Sequence, residues 1–157
     1  MKIEKDKLAI GVLIPLAVGG ISSLLTKDSM EAFAKLNQPP LSPPKWLFPV
    51  AWSILYALMG IASYLIYRQG TEKPEVKNAL RLYGLQLLFN FLWPVFFFRF
   101  DWFLFSFFWL LALWLQVISL ISQAGKIDKT ARNLLIPYLI WLTFAAYLNL
   151  GVYLLNR

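Results

Sequence analysis

Apolar side chains do not alternate along this chain; they run on without a break in five stretches, at roughly 8–26, 46–67, 79–98, 102–122 and 133–155. Each is close to the ~20 apolar residues that carry a helix, at ~1.5 Å rise per residue, across the ~30 Å hydrocarbon layer of a bilayer. Continuous runs of this length exclude the ~10-residue alternating strands of a membrane barrel. The pattern predicts an all-α integral membrane protein: one domain over residues 1–157, built as a bundle of five transmembrane helices, with residues 27–45 as a longer connection after the first.

The first stretch reads as a retained helix, because Lys2–Lys7 mixes three Lys with two acids and no small-x-small cleavage site follows Leu25. Gly11, Pro15, Gly19 and Ser23 put a small residue at every fourth position, a face that a neighbouring helix can approach closely. In the connection, Asp28 to Leu36 fits a short amphipathic helix capped by Asp28 or Ser29. Pro39, Pro40, Pro43 and Pro44 then stiffen the chain, each fixing its own φ and keeping the preceding residue out of the helical region. This segment reads either as a lid over one mouth of the bundle or as a rigid spacer.

Inside the helices, the informative residues are those that lipid does not require. Trp52, Tyr56, Gly60, Ser63 and Tyr67 fall on one stripe of the second helix, and Gln86, Asn90, Trp93, Pro94 and Phe97 on one stripe of the third. Trp102, Ser106, Trp109, Leu113 and Gln116 do so on the fourth, and Tyr138, Trp141, Ala145, Asn149 and Val152 on the fifth. An amide in hydrocarbon is unfavourable unless it faces the bundle or a cavity, so the stripes are expected to face one another. Their members Trp52, Tyr56, Asn90, Trp93, Phe97, Tyr138, Trp141, Ala145 and Asn149 are candidate ligand contacts. Two alternatives stay open: Asn90 and Asn149 also fit interhelical hydrogen bonding, and Pro94 and Pro137 also fit simple kinks or helix starts. Trp46, Tyr67, Trp102 and Tyr153 fit the headgroup-level anchors of any membrane protein. Trp52, Trp93, Trp109 and Trp141 lie deeper, where an indole N–H needs a partner.

Composition narrows the chemistry. A hydrophobic fraction of 59% and a mean hydropathy of +0.61 leave too little polar surface to cover a soluble globule. With no Cys and no His, thiolate, imidazole and triad chemistry are excluded, and no metal site is expected. The formal charge of +7 is a matter of topology and contact with the lipid bilayer rather than nucleic-acid binding. Ten basic residues fall at the end holding the amino terminus and the 68–78 and 123–132 segments, against five at the other end, which predicts a cytoplasmic amino terminus. No acid lies within the apolar runs, which argues against a proton-coupled drug exporter.

Three separated motifs then carry a resemblance. Pro43-Pro44-Lys45-Trp46 leading into Val50-Ala51-Trp52-Ser53-Ile54-Leu55-Tyr56, the run Phe89-Asn90-Phe91-Leu92-Trp93-Pro94, and Ile136-Pro137-Tyr138 through Trp141 to Leu148-Asn149 resemble the translocator protein family, also called the tryptophan-rich sensory proteins or peripheral benzodiazepine receptors. The resemblance covers essentially the whole chain. It implies a homodimer that binds tetrapyrroles such as protoporphyrin IX and haem, and sterol-like or isoquinoline-carboxamide hydrophobic small molecules. In bacterial members it implies light- and oxygen-dependent porphyrin breakdown, for which Trp52 and Trp141 match the pocket tryptophans. It also implies ligand contacts at Phe33, Asn90, Trp93, Trp102, Ala145 and Leu148. A bacterial plasma membrane is expected, since no mitochondrial extension is visible. Two positions depart from the family pattern: Leu41 replaces a loop tryptophan, and Ser106 stands where an acid is common. The sterol pattern survives only as Leu150, Tyr153 and Arg157.

A planar tetrapyrrole wants flat apolar walls for its ring and basic groups near the mouth for its propionates. Trp52 and Trp141 supply the first, and Lys27, Lys35 and Lys45 the second. No resident cofactor is required; porphyrin or haem is the ligand, and an indole beside an excited porphyrin is an oxidisable partner. The residues leave binding or carriage, photochemical turnover, and a stress sensor or regulatory scaffold without turnover all open.

Overall fold

The computed structural model describes residues 2–157 and is helical throughout, with no strand among the described residues. Helix α1 spans Lys5–Thr26, a single 3₁₀ turn Lys27–Ser29 follows, and α2 is the short Met30–Ala34. Then come α3 Leu47–Tyr67, α4 Pro74–Pro94, a π-helical turn Val95–Arg99, α5 Phe103–Ile127 and α6 Lys129–Asn156. Five of these helical stretches are long and apolar enough to cross a membrane.

Local chemistry explains the joints. Pro74 opens α4 at a position whose N–H has no helical partner in any case. Asp128 caps α6 by accepting from the Ala131 N–H at 2.9 Å, and its extended backbone (φ −155°, ψ 115°) turns the chain. The connection expected over 123–132 is therefore one residue long, because polar residues beyond the hydrocarbon layer still prefer helix once a cap is in place. Neither Asp28 nor Ser29 caps α2, contrary to expectation. The chain runs from α1 through helical backbone into the 3₁₀ turn and offers no break at which a cap would form.

Around the bundle the order is α1, α3, α6, α5, α4, with α4 returning to α1 and also touching α3 across the interior. The α1–α3 seam is the close one. A Cβ on Gly60 would sit 2.5 Å from the Gly11 carbonyl oxygen, so each glycine accommodates the other helix's backbone. On α1 the inward face is Gly11, Pro15, Gly19 and Ser22, not Ser23, which is exposed. Steps of four residues drift by about 40° each on a helix with 3.6 residues per turn, and over three steps that carries Ser23 off the face and brings Ser22 onto it. The Ser22 hydroxyl donates to the Phe91 carbonyl at 3.1 Å, which ties α1 to α4.

The buried core runs from Tyr56 and Met59 through Leu87, Leu110 and Leu113 to Leu135, Tyr138 and Leu142. Outward faces carry Ile10, Leu24, Ile54, Phe108, Leu115 and Ile140, the surface expected of helices solvated by lipid.

Candidate functional site

The polar stripes do meet. The Tyr56 hydroxyl donates to Asn90 Oδ1 at 2.7 Å, Asn90 Nδ2 donates to the Tyr138 hydroxyl at 2.7 Å, and that hydroxyl donates to Gln86 Oε1 at 2.7 Å. All four side chains are buried. One continuous chain of hydrogen bonds thus links α3, α4 and α6 where no water is available to replace it. Asn90 hydrogen-bonds between helices here, which is one of the two roles its sequence position leaves open.

A second polar pair lies nearer the lid. Trp93 Nε1 donates to Asn149 Oδ1 at 2.9 Å, and Asn149 Nδ2 donates to the Phe103 carbonyl at 2.8 Å, joining α4, α5 and α6. Trp109 satisfies its indole on the Phe89 carbonyl at 2.9 Å while its ring stacks on Phe89, with centroids 4.0 Å apart.

Above these networks the aromatic rings fall into two groups. Trp52 stacks on Tyr56 (5.5 Å) and meets Trp141 nearly at right angles (6.2 Å, 87°) and Tyr138 edge-on (6.3 Å). Phe48 completes this group against Trp141. The other group is Trp93, Phe97, Phe98 and the lid residue Phe33, which meets Phe97 at 5.5 Å and Phe98 at 4.9 Å. The π turn after Pro94 makes this possible. Its wider winding sends Phe96 toward Trp102, Phe105 and Trp109 on one side, and leaves Phe97 and Phe98 for the lid on the other.

Trp52, Tyr56, Asn90, Tyr138 and Trp141 therefore converge, and Phe33, Trp93 and Phe97 converge next to them. Ala145 is buried in the core and Leu148 is half-buried on the same helix. Trp102 stands apart: it is half-exposed and stacks on Phe96 at the loop between the π turn and α5. Phe48 and Phe98 belong to the site, yet sequence reasoning passed over them. Phe48 sits four residues before Trp52 on the same stripe, and that spacing was the available signal. Phe98 had none, because its direction depends on the π turn.

Trp141 has one further property. Its indole Nε1 is buried and has no hydrogen-bond partner, and its ring borders an apolar groove of about 500 Å³ between α3 and α6. Leu55, Leu58, Pro137 and Phe144 are among its other walls, and the exposed Ile54 and Ile140 mark its outer, lipid-facing side. A donor left unpaired in an apolar setting is costly, and an acceptor brought to it would remove that cost.

The lid is fastened to α6. Asn156 Oδ1 accepts from the Asn37 N–H, and Asn156 Nδ2 donates to the Asn37 carbonyl, both at 2.9 Å. The Tyr147 hydroxyl donates to the Pro40 carbonyl at 2.6 Å, and Pro39 is buried against Gly151, where a Cβ would collide with its ring. Leu41, the residue at the family's loop-tryptophan position, has φ +70° and an 82% exposed side chain that contributes nothing to the site.

Together these features define a five-helix membrane protein with an aromatic interior beneath a loop that closes one end. Comparison with known proteins gives the particular family. The TspO/MBR family profile matches residues 11–155. The chain is 35% identical over 150 residues to the tryptophan-rich protein TspO of Chlorobaculum tepidum, covering 95% of each chain. It is 37% identical over 151 residues to the tryptophan-rich protein TspO of Archaeoglobus fulgidus, covering 96% of this chain and 97% of the other. To the translocator protein of Ovis aries it is 32% identical over 147 residues, covering 90% and 85%. The chain belongs to the TspO/MBR family.

Proposed function

We propose that this protein is a membrane receptor or carrier for planar hydrophobic ligands, tetrapyrroles first among them, held against the Trp52–Trp141 pair beneath the lid. The observation that carries this reading is the indole pair itself: two perpendicular rings, of which Trp141 lines an apolar groove and has a buried N–H without a partner. A porphyrin offers what such a site lacks, a flat apolar face for stacking and polar edge atoms for the unpaired donor. Lys27, Lys35 and Lys45, all exposed at the lid end, are placed to meet propionates. Sterol-like and isoquinoline-carboxamide ligands suit the same walls.

Light- and oxygen-dependent breakdown of the bound porphyrin is the second step of the proposal, with Trp52 and Trp141 as the oxidisable partners. The alternative, a stress sensor or regulatory scaffold without turnover, draws on the same fold but makes no use of the free indole. The protein is proposed to lie in a bacterial plasma membrane with its amino terminus in the cytoplasm, from the ten-to-five distribution of basic residues. A homodimer is expected from the resemblance. Gly84 faces open space on α4 and is free for such contact, whereas Ala79 is packed inside the protomer.

The test is titration with protoporphyrin IX in the dark, read by tryptophan fluorescence, followed by illumination in air. Saturable quenching that is lost in Trp52→Phe/Trp141→Phe, with bleaching only in the parent protein, is the expected result. Trp141→Phe alone is expected to change the melting temperature little, because relief of the buried unpaired donor offsets the packing lost with the larger ring. Saturation without bleaching would reduce the protein to a binder or carrier; no saturation at all would favour the scaffold.

A further inference from the structure

The end of the bundle opposite the lid holds a second pocket, of about 310 Å³, between the start of α1 and the end of α3. It is polar and built. The Glu4 N–H donates to the Tyr64 hydroxyl at 2.8 Å, pinning the start of α1 to α3. Lys7 Nζ lies 3.2 Å from Glu4 Oε2 and 5.5 Å from the centre of the Tyr67 ring. The Arg68 guanidinium carbon lies 5.9 Å from the centre of the Tyr64 ring, and Arg68 Nε is buried with no hydrogen-bond partner. Gly70, at φ +117°, turns the chain so that Thr71 and Glu72 close the far wall.

Among the described residues, the charged groups lining the pocket are Lys2, Lys7 and Arg68 against Glu4 and Glu72, three positive and two negative. The balance is one positive charge, which matches a phosphodiester monoanion. Arg68 Nε and the Lys7 ammonium supply charge-assisted donors to its oxygens. Glu4 and Glu72 add acceptors that suit a headgroup carrying hydroxyls and disfavour a bare anion. The position fixes the source of the phosphate. The pocket sits where the apolar part of α1 begins, and Ile10, Leu13 and Ile14 on that stretch have exposed side chains. A phosphate held there has its acyl chains alongside α1, in the bilayer.

We infer that this pocket binds the headgroup of an anionic glycerophospholipid with hydroxyls beyond its phosphate, phosphatidylglycerol being the simplest. The site does not depend on the porphyrin reading, since the two pockets lie at opposite ends of the bundle.

Native mass spectrometry of the full-length protein in detergent, offered equal amounts of dioleoyl phosphatidylglycerol and dioleoyl phosphatidylcholine, tests it. Retention of phosphatidylglycerol is expected to exceed that of phosphatidylcholine by about fivefold, on the usual attraction of a basic residue for an anionic lipid surface. Lys7→Gln/Arg68→Gln should abolish the preference, and Lys27→Gln/Lys35→Gln at the lid end should leave it intact. Should the double variant not fold, the exposed Lys7→Gln alone is expected to weaken the preference. Equal retention of both lipids, or an undiminished preference in the variants, overturns the proposal. Loss of the preference in millimolar inorganic phosphate overturns the lipid assignment in favour of a soluble anion.

Discussion

Tyr138 shows what a single hydroxyl does in this interior. It donates to Gln86 and accepts from Asn90, so it holds together two amides that have no water to turn to. Tyr138→Phe keeps the ring and strands Gln86 Oε1 and Asn90 Nδ2. The cost expected for unpaired buried groups is about 1–3 kcal/mol. A lowered unfolding temperature in detergent, with helix content unchanged before the transition, is the expected outcome; an unchanged temperature would mean that the amides find other partners. The sequence made Tyr138, Asn90 and Gln86 visible, since amides inside an apolar run have few places to face. It did not reveal who bonds to whom. Asn90 and Asn149 looked alike in the chain, yet one closes a tyrosine network and the other ties a tryptophan to a backbone carbonyl.

At the scale of elements, the pairing of α1 with α3 depends on glycines that no single-helix motif announces. Gly11 and Gly60 lie on different helices, so their mutual fit is set by packing alone. Gly60→Ala would push its Cβ into the Gly11 carbonyl and the Val12 backbone at 2.5 and 2.7 Å, and backbone cannot swing aside. Overpacking of this kind costs about 1–3 kcal/mol. Gly20, on α1, has open space at the same position and is the control. Gly20→Ala should melt no lower than the parent and Gly60→Ala clearly lower; equal melting would mean that the seam is looser than its geometry indicates. The helices themselves were legible from hydropathy, because apolar length is what a bilayer demands. Their ends were less so. The π turn after Pro94 and the one-residue link at Asp128 depend on backbone bonding and on a cap, neither of which hydropathy registers.

For the whole molecule, the function proposed above makes the aromatic interior and the 27–45 loop one unit, in which the loop's attachment to α6 would set access to the ligand. Tyr147→Phe removes the hydroxyl bonded to Pro40 without disturbing the core. One such bond is worth about 1 kcal/mol, so opening should become about fivefold more favourable. Hydrogen exchange over residues 35–45 is expected to quicken by that factor, and porphyrin association with it. Faster exchange with unchanged association would place the entry route elsewhere, and the groove between α3 and α6 is the next place to look. The proline run made a stiff connection legible in the sequence, open to reading as lid or spacer. Its anchorage on Tyr147, Gly151 and Asn156 was not, because the partners lie more than a hundred residues apart.

That separation bears on how the protein is made. The segment that closes the site leaves the ribosome early, yet its partners sit on the last helix to emerge. During synthesis the first four membrane helices therefore stand with the mouth of the bundle uncovered, and closure waits until α6 has been threaded into the bilayer. Tyr138 and Trp141 sit on that same helix, so the aromatic interior and its cover are completed by one insertion event, and any loading of ligand follows the arrival of α6 rather than preceding it.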